Sequence, residues 1–307
     1  MTDGIAKYPE LVADYEANVS QALRELAIHN GEYYGFVHLW ENDVVWINNE
    51  VFRKAGATIP QGSWTWEEFE TACDLIEKNT DAYAYMIPDS YYVNNGWLYS
   101  FGTGYLNDDY TAIDFDSAAS KELMQFFADS AAKGWAPANW DSLDVNAEFL
   151  NGRLAMMCGG LWPMITLAKE NFTDVSVAYI PTKYSDRQSS SWASWQILST
   201  TKHYEEAALL AAWTGSYEYC SRFSKEVNSD IPSRSDINKE DSFLFDFNGI
   251  ELFYEAYPNT TGMQNPVCYA DLEAIWRACI TSVISGLKDV ETAVNDAAAE
   301  MRMVSGL

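Results

Sequence analysis

Side chains that commonly carry chemistry are scarce or poorly spaced in this sequence. Its three histidines, His29, His38 and His203, form neither an H-x-H nor an H-E-x-x-H pair, so their spacing offers no transition-metal site. Five cysteines, Cys73, Cys158, Cys220, Cys268 and Cys279, are scattered without a C-x-x-C pair. An odd number rules out complete internal pairing, and reduced, buried thiols are the expected state. That usage alone favours a reducing compartment. There is no G-x-x-x-x-G-K-[ST] phosphate loop and no G-x-S-x-G elbow, and Gly102 and Gly104 lack the third glycine of a dinucleotide loop. Asn107, Asp108 and Asp109 gather oxygens without the alternation and closing glutamate of a calcium loop, so a polar turn is expected.

Carboxylates are abundant: 45 acidic residues against 19 basic ones give a net charge of −26. Such a field repels phosphate backbones and anionic lipid headgroups, which argues against nucleic acid and favours a neutral or cationic ligand. Glycosidic cleavage needs two carboxyls about 5 Å or about 6.5–9.5 Å apart. Linear order does not fix that distance, so a glycan-active hydrolase or lyase stays open as an alternative. The unusual feature is aromatic: 12 Trp, 19 Tyr and 14 Phe. Flat rings that stack on sugar faces, beside amides and carboxylates that bond to hydroxyls, suit a pocket for a neutral polar solute.

These side chains must be positioned by alternating helices and short strands. Apolar spacing predicts a helix over Tyr8–Ala27, strands over Phe36–Leu39 and Asp43–Asn48, and a short helix over Asn49–Ala55 closed by Gly56. Thr65 with Glu68 three residues on forms a capping box for the next helix. Further helices are expected at Gly96–Phe101, Ser117–Ala132, Val145–Asn151, Pro163–Lys169, Tyr204–Thr214, Tyr217–Val227, Glu251–Tyr257, Ala270–Ser285 and Asp289–Met303. Strands are expected at Ala82–Ile87, Ala155–Cys158, Val175–Tyr179 and Trp195–Leu198. The alternation argues an α/β fold, and 307 residues argue about two domains. No run approaches the roughly 18 apolar residues of a membrane span.

The order of segments is more specific than any one of them. Gly31-Glu32-Tyr33-Tyr34-Gly35, then Val44 to Phe52 (Val-Val-Trp-Ile-Asn-Asn-Glu-Val-Phe), resembles the "G-x-Y-Y-G … L-x-Y-N-K-D-L-F" passage of bacterial family 1 extracellular solute-binding proteins, the maltose-binding-protein-like receptors of ABC transporters. Lys54-Ala55-Gly56 through Trp64-Thr65-Trp66-Glu67-Glu68-Phe69 is similar to that family's "K-A-G … T-W-x-E-F". Phe149 to Met156 resembles "F-x-x-G-K-A-A-M", Gly159-Gly160-Leu161-Trp162 its "G-x-W" turn, and Gly286 to Val294 its closing helix. Departures are His38 in a proline region and Asn49 and Arg153 in place of lysines.

The resemblance implies a two-lobed, periplasmic-binding-protein-like fold of type II, with a ligand held in the cleft between lobes. Lobe one is expected over 1–43 and 190–243, and lobe two over 44–189 and 244–307. Members carry a signal sequence, often a lipid-anchor cysteine, and a leading β-α-β-α-β portion on the order of 80–100 residues. None is found ahead of residue 31, so an N-terminal truncation and an incomplete first lobe are expected, with no export signal in this chain.

Within that frame Trp162 is the expected stacking tryptophan, and Glu41 the cleft carboxylate beside Trp40. Asn94, Asn95 and Trp97 form a polar and aromatic cluster at a helix start. Trp192 and Trp195 fall where the chain recrosses, and Tyr269 opens a late helix in which Trp276 has core spacing. No catalytic residue, metal or cofactor is expected. The implied function is extracytoplasmic capture of a mono- or oligosaccharide for delivery to ABC permease subunits. The alternatives are the hydrolase or lyase, or a fragment that binds nothing on its own.

Overall fold

A computed structural model of the chain describes residues 2–228, 230–255 and 260–307. It divides into two compact units, one made of Met1–Glu41, Leu161–Glu170 and Ser191–Asp246, the other of Asn42–Gly160, Asn171–Ser190 and Phe247–Leu307. The segment Leu161–Glu170, expected with lobe two, belongs to the first unit. The Leu161 amide donates to the Glu41 carboxylate at 2.7 Å, which ties this turn and the helix Pro163–Lys169 to the strand Gly35–Asn42.

In the first unit the strand Gly35–Asn42 pairs antiparallel with Ile231–Pro232, Leu39 facing Pro232 and Trp40 facing Ile231. Its other neighbour is the strand Gln188–Gln196. Helices Pro9–Asn18 and Tyr204–Trp213 flank this layer. Tyr15 is pinned in the core: the Val37 amide donates to its hydroxyl at 2.9 Å, and its ring meets Phe36 edge-on at 4.9 Å. The guanidinium of Arg234 is buried but paired with Asp14 and Asp236, each at 2.8 Å.

The second unit is built on a sheet ordered Tyr83–Tyr85, Leu154–Gly159, Val44–Asn48, Val175–Ala178. All five residues of Val44–Asn48 are buried, as a continuous apolar run in a central strand requires. The ring packing of Trp66, Phe69, Tyr85, Trp97 and Phe127 fills one side, and Trp276 is fully buried, as its helical spacing predicts. Here Thr260–Gly262 pairs parallel with Gln188–Ser190. No helix among the described residues is long and apolar enough to cross a membrane.

Several elements differ from expectation. The helix predicted over Tyr8–Ala27 breaks at Val19, which bridges to Arg234, and restarts at Gln21–Glu25 under a Ser20 cap. The strand expected at Trp195–Leu198 lies instead at Gln188–Gln196, because Ser189 and Ser191 are buried and a serine run conceals the strand. The helix predicted from Gly96 begins at Tyr91, whose amide donates to Glu273 at 2.7 Å, a cap supplied from 182 residues away. The predicted helix Glu251–Tyr257 is seen as Leu252–Glu255; its last two positions lie outside the described residues.

Candidate functional site

Glu41 sits next to last in the strand Gly35–Asn42 and is 6% exposed. One carboxylate oxygen accepts the Leu161 amide at 2.7 Å, and the other accepts the Ser191 hydroxyl at 3.5 Å. A buried carboxylate needs such donors, and their effect here is to hold a turn. Leu161 is fully buried and Pro163 fixes the first helical position of Pro163–Lys169. Between these two anchors Trp162 keeps 37% of its surface exposed. The turn thus leaves a large indole open to solvent on a backbone held from both sides. Trp40 is buried beside Glu41, with the Lys239 ammonium 5.3 Å from its ring centre. Burial pushes the Lys239 pKa down.

The structure thus joins Glu41, the Leu161–Trp162 turn and Ser191 in one hydrogen-bonded node, whereas Trp40 and the half-buried Trp192, next to Glu41 and Ser191 on their strands, project from the opposite face of the sheet. Trp195 stands further along the same strand. It is 52% exposed, donates from Nε1 to the Tyr219 hydroxyl at 2.7 Å and stacks on buried His38 at 6.1 Å. Burial draws the His38 pKa down to about 4, so this imidazole is neutral at physiological pH.

The other expected residues lie in the second unit. Asn94, Asn95 and Trp97 are buried in the helix Tyr91–Ser100; the Asn95 amide donates to the Tyr91 carbonyl at 2.6 Å and Trp97 Nε1 to Cys158 Sγ at 3.2 Å. Tyr269, at the start of Tyr269–Ile284, is partly exposed and packs against Tyr91 at 5.6 Å. Sequence reasoning missed Ser191 and Lys239. Ser191 lies inside the recrossing segment and was within reach, whereas nothing local marks Lys239. Asp43 was missed as well: it is fully buried, and burial, only partly offset by the neighbouring Ser189 hydroxyl, pushes its pKa up to about 8. Among the described residues no group of three or more His, Cys, Asp or Glu is placed to hold a metal ion.

The architecture defines a class. An ABC substrate-binding protein from Listeria monocytogenes in complex with cycloalternan superposes with a TM-score of 0.85 at 19% identity, covering 99% of this chain and 80% of that one. A solute-binding protein from Thermotoga lettingae bound with α-D-tagatose gives 0.82 at 22% identity, covering 99% and 83%. UgpB from Mycobacterium tuberculosis in complex with glycerophosphocholine gives 0.78 at 17% identity, covering 96% and 78%. The fold is therefore the α/β, type II periplasmic-binding-protein fold. Residues 2–244 match the family described as bacterial extracellular solute-binding protein, and the chain belongs to that family. No curated protein matches it in sequence.

Proposed function

We propose that this chain is the extracytoplasmic substrate-binding component of an ABC importer and captures a neutral mono- or oligosaccharide without breaking a bond. The observation that carries this reading is Trp162, an indole left 37% exposed on a turn that the buried Glu41 carboxylate holds in place. A ring face on a fixed backbone stacks on the apolar face of a sugar with little loss of freedom on binding. Glu41 anchors that turn, and the two compact units serve as the two lobes. The solved relatives crystallised with cycloalternan and tagatose support a sugar, and the net charge of −26 disfavours an anionic ligand. Delivery requires permease subunits as partners.

Calorimetric titration with neutral mono- and oligosaccharides, with chromatography of the mixture afterwards, tests this reading. Saturable binding with the sugar recovered intact is expected. Appearance of cleaved products would instead identify the glycan-active hydrolase or lyase, and absence of any binding would reject sugar capture by this chain.

A further inference from the structure

The strands Gly35–Asn42 and Gln188–Gln196 are neighbours, and two acids at the end of the first meet two serines of the second. Glu41 accepts the Ser191 hydroxyl at 3.5 Å. Two residues on, the Asp43 amide donates to the Ser189 carbonyl at 3.0 Å, and the Asp43 carboxyl lies beside the Ser189 hydroxyl. Two steps forward on one strand match two steps back on the other. Glu41–Ser191 and Asp43–Ser189 are therefore successive rungs of one antiparallel ladder. Residues two apart on a strand share a face and stand about 7 Å from each other. Both strands pass between the two units at this point, the first after Glu41 and the second after Ser190.

The rungs differ in what surrounds the acid. Glu41 also accepts the Leu161 amide at 2.7 Å, the bond that anchors the Trp162 turn. Asp43 and Ser189 are both fully buried, and Gly96 of the helix Tyr91–Ser100 packs against Ser189. The titratable groups that face Asp43 are Glu41 on its own strand and the Cys158 thiol on Leu154–Gly159, which burial pushes up to about 12. Neither Gln188–Gln196 nor Tyr91–Ser100 contains a carboxylate, a lysine, an arginine or a histidine. A proton on Asp43 thus spares the ladder a second carboxylate one rung from Glu41, at a site that water reaches only when the rungs part.

We propose that Asp43 is a proton-held latch on this ladder: protonated it keeps both rungs closed, and loss of its proton to solvent parts them and slackens the Trp162 turn through Glu41. The sign follows from linkage. The open ladder returns Asp43 to its ordinary pKa of 3.8, against about 8 when closed, so opening is favoured progressively between those values and gains nothing above 8. Under the function proposed above, on which this consequence rests, a sugar held on Trp162 dissociates faster as pH rises through the same window.

Hydrogen exchange of the Asp43 and Leu161 amides, in the intact chain without sugar, tests the latch whether or not the chain captures a sugar. Between about pH 6.5 and 8, both protection factors, corrected for base catalysis, are expected to fall about tenfold per pH unit and then level, since each opening releases one proton. His38 changes charge below this window and the Cys158 thiol above it. In Asp43→Asn both amides should become independent of pH. A carbon NMR titration of the wild-type Asp43 carboxyl, which needs no variant, should turn near pH 8. Constant protection in the wild type overturns the proposal, as does a carboxyl that titrates in the ordinary range. So does an Asp43 amide that responds while Leu161 does not, or a slope that persists in Asp43→Asn.

Discussion

Under the proposed function, Glu41 supports the turn and Trp162 supplies its contact with the sugar. Trp162→Ala removes the exposed ring face proposed to meet the sugar, and about 1.5–3 kcal/mol of lost apolar contact corresponds to roughly 10- to 150-fold weaker sugar binding. The melting temperature should hardly move, so calorimetry together with thermal unfolding separates a binding defect from a folding one. Glu41→Ala strands the buried Leu161 amide and is expected to destabilise the chain by about 1–3 kcal/mol, read in urea titration. Two further residues set a pH dependence of opposite sign. Asp43, with a folded pKa near 8 against an ordinary 3.8, keeps a proton that the unfolded chain has released. Its contribution is therefore fully present below about pH 4 and lost as pH rises to 8. His38, near 4 against an ordinary 6.5, binds its proton more readily when unfolded, so its contribution is lost as pH falls from 6.5 to 4. The two oppose each other between pH 4 and 6.5, and from 6.5 to 8 Asp43 acts alone. Asp43→Asn should flatten the decline of unfolding free energy across that upper window, and an unchanged slope would reject the assignment.

At the scale of elements, local chemistry set the helix ends that the sequence announced. The Thr65–Glu68 capping box is formed on both sides, and Gly56 closes the preceding helix in the left-handed conformation at φ 70°. Thr65→Ala is expected to cost about 1 kcal/mol, visible as a lower denaturant midpoint at unchanged slope. Gly249 is a stricter constraint. It holds φ at +88°, and a Cβ there would stand 2.5 Å from the Val177 carbonyl oxygen on an edge strand of the second unit's sheet. Gly249→Ala should therefore cost more than the roughly 1 kcal/mol typical of backbone strain alone, by the same measurement. Elements whose ends depend on distant partners were misread instead. The start of Tyr91–Ser100 is set by Glu273, and the break at Val19 by Arg234.

The whole molecule carries its excess of acid on the surface, where self-repulsion opposes compactness. Raising sodium chloride from about 10 to 150 mM shortens the screening length from roughly 30 to 8 Å and should raise the melting temperature. A melting temperature that falls with salt would mean that surface ion pairs such as Lys121–Glu291 outweigh that repulsion. The sequence alone determined the class of fold, because periodicity, caps and the order of motifs from Gly31 to Val294 are local signals repeated along the chain. Its reading of Trp162 as the stacking residue rests on the resemblance of Gly159-Gly160-Leu161-Trp162 to the family's G-x-W turn. Tertiary structure alone decided which polar and aromatic residues are exposed. Asn94, Asn95 and Trp97 look like contact residues in one dimension, yet helix packing buries them. Leu161–Glu170 joins the first unit because of a hydrogen bond from Leu161 to Glu41, 120 positions away. Burial and charge neutralisation at Asp43 arise from pairs of segments far apart in sequence, and linear spacing carries no measure of such distances.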